Sequence, residues 1–241
     1  MNRIYSDLHL RGNTNDTQRL IAKAATLGYS QVAVPFSTPP TDSELSVIKT
    51  YSQANGIDFV TRADFKPRTQ EDLTRFLRKY RRQFEVICIF SDNKDVARQA
   101  AKDHRVDILN FPSFDYKKRF FDRAEAELAS NTEAAFEIDV KPLLTLEGPT
   151  RTRLLSTLRR ETAIAKEFHV PLLISSGVSE DLFMRKPHDM AALGFLFGLQ
   201  EENCLDAVSS NPTTIVSRNR RKLDPKFVAP GVTLLKEGTA K

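Results

Sequence analysis

Short runs of β-branched and aromatic residues alternate along the chain with longer segments whose apolar positions recur every three to four residues. The short runs, at 3–9, 31–36, 58–65, 85–90, 107–111, 134–140, 171–176 and 206–210, predict strands. The longer segments, at about 16–27, 41–54, 70–83, 93–103, 115–130, 150–168, 187–200 and 212–222, predict helices. Regular β-then-α order implies parallel strands joined by right-handed crossovers. Eight such units in 241 residues predict an α/β fold closed as a (β/α)₈ TIM-like barrel, which typically takes about 250 residues. An open doubly wound sheet with a decorated end is the alternative. The barrel is expected over 1–223, and an extended tail over 224–241 that packs back through Phe227, Val228, Leu234 and Leu235.

Local signals support these elements. Leu73, Phe76, Leu77, Tyr80 and Phe84 form one apolar stripe, Thr69 is placed to cap that helix, and Glu71 and Asp72 sit at its positive end. The first helix is expected to begin after Asn15 or Asp16, bury Leu20, Ile21, Ala24 and Leu27, and stop at Gly28; Asn55-Gly56 should end the second in the same way.

In a barrel, chemistry gathers at the C-terminal ends of the strands. Those ends here offer Asp7, His9 and Arg11, then Arg62, Asp64 and Lys66, Asp139 and Lys141, Ser175 and Ser176, and Ser209 and Asn211. Strand alternation turns Phe59, Thr61, Ala63 and Phe65 toward the helices and Arg62, Asp64 and Lys66 into the barrel; likewise Phe136, Ile138 and Val140 oppose Glu137, Asp139 and Lys141. Charges so buried must pair. They form either a structural polar core or a catalytic or metal site. Histidine argues against metal: of His9, His104, His169 and His188, only His9 lies at a strand top, and a multinuclear zinc or manganese centre normally needs more imidazole. No GxSxG elbow, Walker loop or GxGxxG is present. The loops after the seventh and eighth strands could still form an anion pocket, with Asn211 and Pro212 opening a helix and Arg185 or Lys186 nearby. The competing reading is capping alone.

Charge alters the picture through its clustering rather than its total. The formal charge is only +5, from 36 Lys and Arg against 31 acids. Yet Arg62, Lys66, Arg68, Arg75, Arg78, Lys79, Arg81 and Arg82 fall within 62–82. Lys117, Lys118 and Arg119 stand among Phe114, Tyr116, Phe120 and Phe121, while Arg218, Arg220, Arg221 and Lys222 join Arg151 and Arg153. Any one cluster suits a solvated helix face; several together favour a polyanion, read by shape and backbone. The expected RNA-facing set is these cations together with Arg185 and Lys186. Cys88 and Cys204 lie far apart in apolar surroundings and read as reduced thiols. No apolar run approaches the roughly 20 residues of a membrane span, and the N-terminus lacks the apolar core of a signal peptide.

ISSGVSED at 174–181, RKPHDMAALGFLFGL at 185–199 and DAVSSNP at 206–212 resemble the thirty-kilodalton protein subunit (component three) of archaeal and eukaryotic ribonuclease P. SDLHLR at 6–11, LGYSQVAVP at 27–35 and FEIDV at 136–140 match the same family in order and spacing. The compact length suits the archaeal form. That family is similar in fold to the polymerase-and-histidinol-phosphatase (PHP) metalloenzymes, whose first strand carries HxH. Here His9 fills the first place but Arg11 the second. The resemblance implies a subunit of the enzyme that removes the 5′ leader from precursor tRNA. The RNA and its Mg²⁺ ions would perform hydrolysis, and this chain would hold no cofactor. Its implied partners are the ribonuclease P RNA, the small ferredoxin-like protein subunit, the other protein subunits, and precursor tRNA. Its implied location is the cytoplasm, or the nucleus in a eukaryote. The alternative is a divergent PHP-type phosphoesterase using Asp7, His9, Asp64 and Asp139; a third reading is a scaffold for acidic protein.

Overall fold

The computed structural model describes residues 3–12, 16–229 and 232–233. Strands β1 (Ser6–Asp7), β2 (Gln31–Phe36), β3 (Asp58–Phe65), β4 (Val86–Phe90), β5 (Ile108–Asn110), β6 (Ala135–Asp139) and β7 (Leu172–Ser175) pair in chain order, every pair parallel. Helices α1 (Thr17–Leu27), α2 (Asp42–Ala54), α3 (Gln70–Tyr80), α4 (Lys94–Ala101), α5 (Arg123–Thr132), α6 (Lys141–Thr145) and α7 (Gly148–Glu167) run through the connections. Beyond β7 come α8 (Pro187–Leu193), α9 (Glu201–Ala207) and α10 (Ser210–Leu223), then a small antiparallel pair, β8 (Phe227–Ala229) with β9 (Val232–Thr233). Leu234 and Leu235, expected to pack back, lie outside the described residues.

The barrel is TIM-like with seven strands. The run 206–210 expected as the eighth is instead the end of α9 and the start of α10. A short apolar run carries no period able to tell a buried helix from a buried strand. The sheet nearly closes without it. At the top, Leu10 bridges Val178, and Gly177 N–H donates to the His9 carbonyl; lower down, Ser6 N–H donates to the Val208 carbonyl. Helix α10 lies across the N-terminal end of the barrel, where Ile215 and Val216 join Leu8, Ala33, Val60, Val86, Cys88, Ile108, Ala135 and Leu173 in the inner core. Burying two such side chains stabilises by about 1.5–3 kcal/mol each. Arg218 and Arg81 both bind Asp107, while Arg220 binds Asp58 and Glu85, tying α10 to the starts of β3, β4 and β5.

Gly28 ends α1 at φ 96°, Gly56 follows α2 at φ 70°, and Thr69 caps α3 by accepting the Asp72 N–H at 3.1 Å. The helix expected over 115–130 is broken: a 3₁₀ turn at Tyr116–Lys118 gives way to extended chain, and Asp122 caps α5 through the Glu125 N–H. The segment expected as one helix over 187–200 divides into α8 and a 3₁₀ turn at Gly194–Phe197.

Candidate functional site at the barrel mouth

The inward faces of the strands change character with height. Below lie Val60, Val86, Ile108, Ala135 and Leu173; above them the same alternation delivers Arg62, Cys88, Asn110, Glu137 and Ser175. Arg62 is fully buried and anchors this second layer. Its two terminal nitrogens donate to Glu137 Oε1 and Oε2 at 2.7 and 2.6 Å, its Nε donates to Asp64 at 2.6 Å, and one nitrogen also reaches the Leu8 carbonyl at 2.7 Å. Such a bidentate fork suits a guanidinium. Asn110 and Ser175 donate to the same Glu137 carboxylate at 2.9 and 2.7 Å. Burial alone would raise the Glu137 carboxyl, but Arg62 outweighs it and holds the group at about 2. The structural polar core expected from alternation is therefore present, and Arg62, expected to face RNA, is its centre; its depth overturns that expectation.

His9 closes the lumen above. Its Nδ1 lies 2.7 Å from Asp139 and its Nε2 2.9 Å from Asp64. Burial opposes a charge on this ring, yet Asp139 and Asp64 overcome it despite Arg62, and the imidazole is raised to about 9. Both nitrogens then carry protons and donate to carboxylates. Arg11 Nε, 3.0 Å from Nε2, is on that account a neighbouring cation held by its bond to Asp139 at 3.2 Å. Gly177, at φ 63°, makes this packing possible, since a Cβ there would stand 2.8 Å from Asp139 Cγ.

His9, Glu137 and Asp139 place ligand-type atoms within 4.8 Å of one another, so the donor set can be tested for a metal. It does not fit. Both Glu137 oxygens are engaged by Arg62, Asn110 and Ser175, and each His9 nitrogen faces a carboxylate it already binds. The Arg62 guanidinium supplies the positive charge that a cation would bring. Asp7 stands apart from this set. Its Oδ1 accepts the His9 and Ser176 N–H groups, its Oδ2 is buried without a hydrogen bond among the described residues, and burial raises its carboxyl.

The anion pocket between the last two strand ends is not formed. Ser175 is spent on Glu137, and Ser176 donates to the His9 carbonyl. Ser209 and Asn211 do not reach the mouth at all: Ser209 donates to the Leu205 carbonyl, and Asn211 donates to Leu172 at the start of β7, the opposite end of the barrel. Asn211 makes no cap either, because α10 begins one residue earlier. Once no eighth strand exists, no strand end carries these residues upward.

The basic clusters divide in two. Arg119 is buried, forking onto Glu161, with the Phe111 and Pro112 carbonyls taking its remaining donors. Arg218 and Arg220 are the α10 anchors described above, Arg81 at the end of α3 shares Asp107 with Arg218, and Arg185 donates to the Leu182 and Met184 carbonyls. Charge in a sequence does not reveal depth. Arg68, Arg78, Lys79, Arg82, Lys117, Lys118, Arg151, Arg153, Lys186, Arg221 and Lys222 are exposed, and none forms an ion pair among the described residues. Lys66 is exposed and paired with Asp92. The Arg119–Glu161 pair left no sequence signal, because its halves are 42 positions apart on unrelated segments.

A TIM-like barrel whose upper lumen is filled by its own salt bridges defines a class: a barrel used as a body, not as an open catalytic cup. Residues 4–224 match the family RNase P subunit p30. The chain is 34% identical over 233 residues to ribonuclease P protein component 3 of Methanosarcina barkeri, covering 93% of this chain and 91% of that protein. The component 3 of Methanosarcina mazei is 30% identical, covering 92% and 90%. A chain in the cryo-EM structure of archaeal ribonuclease P with mature tRNA superposes with a TM-score of 0.84 at 23% identity, covering 98% of this chain and 100% of that one. The chain belongs to the RNase P subunit p30 family.

Proposed function

We propose that this chain is a protein subunit of ribonuclease P that supports removal of the 5′ leader from precursor tRNA by the catalytic RNA, contributing no catalytic group and holding no metal of its own. The observation that carries this reading is a family match across nearly the whole barrel in a chain whose Asp64, Glu137 and Asp139 are already neutralised by Arg62, His9 and Arg11. A phosphoesterase would need those carboxylates free. The Mg²⁺ requirement then belongs to the RNA. The exposed cations form the RNA-facing set, at Lys66, Arg68, Arg78, Lys79, Arg82, Lys117, Lys118, Arg151, Arg153, Lys186, Arg221 and Lys222. Leu182 and Phe195, 75% and 55% exposed in the connection between β7 and α9, offer apolar surface to the small ferredoxin-like subunit. No helix among the described residues is long and apolar enough to cross a membrane; the location that goes with this reading is the cytoplasm.

Reconstitution tests this reading. Adding the chain to the RNA and the other protein subunits is expected to accelerate precursor-tRNA cleavage at low Mg²⁺. The Arg78→Ala/Lys79→Ala/Arg82→Ala variant should weaken RNA binding and flatten its salt dependence, each lost phosphate contact removing roughly 0.9 from the slope by analogy with duplex DNA. These three side chains are exposed, so the fold should survive. Elemental analysis should find no stoichiometric zinc or manganese. Phosphatase activity tied to bound metal and abolished in His9→Ala would favour the hydrolase instead.

A further inference from the structure

Beside the closed lumen, the mouth holds a cavity of about 330 Å³, lined between the ends of β3, β4, β5 and β6 by Phe90, Phe111, Phe114, Lys66 and Lys141, with Arg11 also in its wall. Its size lies at the small end of ligand pockets, which span roughly 300–1,000 Å³. That admits one small flat molecule with a charged group and excludes a duplex. The walls are aromatic: Arg11 lies over the Phe90 ring at 5.5 Å, and Phe114 leaves 71% of its surface in solvent. A phenyl ring so exposed at a cavity rim marks a contact surface better than a core position.

The rim is cationic and short of anionic partners. Among the described residues Lys141 Nζ has only the Ser179 hydroxyl, at 3.0 Å, and Lys66 is largely exposed with Asp92 beside it. Lys118 lies close enough to Asp92 to lower its carboxyl together with Lys66. Asp139 itself lines the cavity, but it and the neighbouring Asp64 are both paired, to His9 and Arg11 and to His9 and Arg62, so neither offers an uncompensated negative charge to an anion. Flat aromatic faces below positive side chains recognise a base with its phosphate.

We propose that this cavity is a single-nucleotide site, in which one unpaired nucleotide stacks on Phe114 and sets its phosphate between Lys66 and Lys141. The inference rests on the chain being an RNA-associated subunit and adds a specific single-stranded contact to it. Duplex RNA, whose bases are stacked inside the helix, cannot enter such a site.

The test uses the full chain with a short fluorescein-labelled single-stranded oligouridylate and a duplex of the same length. Phe114→Ala is expected to weaken single-strand binding by roughly tenfold, the loss of one stacked base, while duplex binding is unchanged. Lys66→Ala/Lys141→Ala should lower single-strand affinity and reduce its salt slope by about 0.7 per lost contact. Circular dichroism confirms that these surface variants fold. Displacement of the oligonucleotide by millimolar uridine monophosphate identifies a free nucleotide as occupant; no displacement identifies a nucleotide within an RNA strand. Unchanged single-strand binding in both variants, or equal losses for single strand and duplex in Phe114→Ala, overturns the site. Either result leaves the reconstituted cleavage assay to judge the subunit reading on its own.

Discussion

Replacing Arg62 by leucine is expected to cost about 3–5 kcal/mol of folding stability, because it leaves carboxylates buried in the barrel without their counter-charge. Glu137 would lose two hydrogen bonds and Asp64 one. Burial is already the largest influence on Glu137, and with Arg62 gone its carboxyl rises from the low value that the guanidinium holds. Domains are stable by only about 5–15 kcal/mol in total, so this variant should unfold at a much lower urea concentration than the parent. Arg62→Lys should recover little, since an ammonium on a flexible stem cannot fork onto Glu137 and reach Asp64 together. The double variant Arg62→Met/Glu137→Met should recover part of the loss, because both halves of the buried pair leave together. Urea unfolding followed by circular dichroism reads all three. A loss under about 1 kcal/mol in Arg62→Leu would falsify the claim that this fork holds the upper lumen together.

The same residue shows how far the sequence could be read. Alternation in β3 and β6 placed 62, 64, 137 and 139 on the inward face, because every strand of a barrel buries both faces and the apolar set belongs against the helices. What alternation cannot give is height along the barrel axis. Height depends on how neighbouring strands are staggered, which emerges only in the assembled sheet: Arg62 pairs across from Val86, whereas Asp139 pairs across from Ser175. Arg62 therefore read both as an inward charge and as one of the RNA-facing cations, and it is among the largest fully buried side chains. Arg119 misled for a related reason, since its neighbours Lys117 and Lys118 are solvated while it alone turns inward to Glu161. The error at 206–210 was topological. Counting eight strands assigned Ser209 and Asn211 to the mouth, and the substitution of α10 for the last strand sends them to the other end. The mouth cavity was half legible. Phe114 and Lys66 were visible as an aromatic and a cation in different basic clusters, and only the barrel brings them to one rim.

Folding stability is expected to fall as pH rises from 6.5 to 9, with His9 setting the slope. In the fold its imidazole is raised to about 9 from an ordinary 6.5: burial opposes the charge, and Asp139 followed by Asp64 more than compensate. A folded state that binds the proton more tightly than the unfolded chain keeps the whole contribution below pH 6.5 and loses it as pH passes through 9. A shift of that size corresponds to about 3 kcal/mol, at roughly 1.4 kcal/mol for each pH unit. Glu125 acts in the same direction over a lower window. Burial pushes its carboxyl up to about 7 from 4.5 in spite of Arg98, so its folded state too prefers the proton, and stability declines between those values. Glu137 and Asp64 work oppositely. Arg62 holds both low against burial, and their contributions are present above the ordinary carboxylate range and lost on acidification below it. The balance puts maximal stability at about pH 5, between the acid limb of the Arg62 network and the alkaline limb of His9. Urea midpoints measured from about pH 3 to 10 separate these contributions. His9→Gln should be least stable relative to the parent below pH 6.5 and converge with it above 9, while the decline assigned to Glu125 persists in both proteins. Parallel curves for parent and variant across that interval would show that His9 is not charged in the fold, and that Asp139 and Asp64 are bound by Arg11 and Arg62 alone.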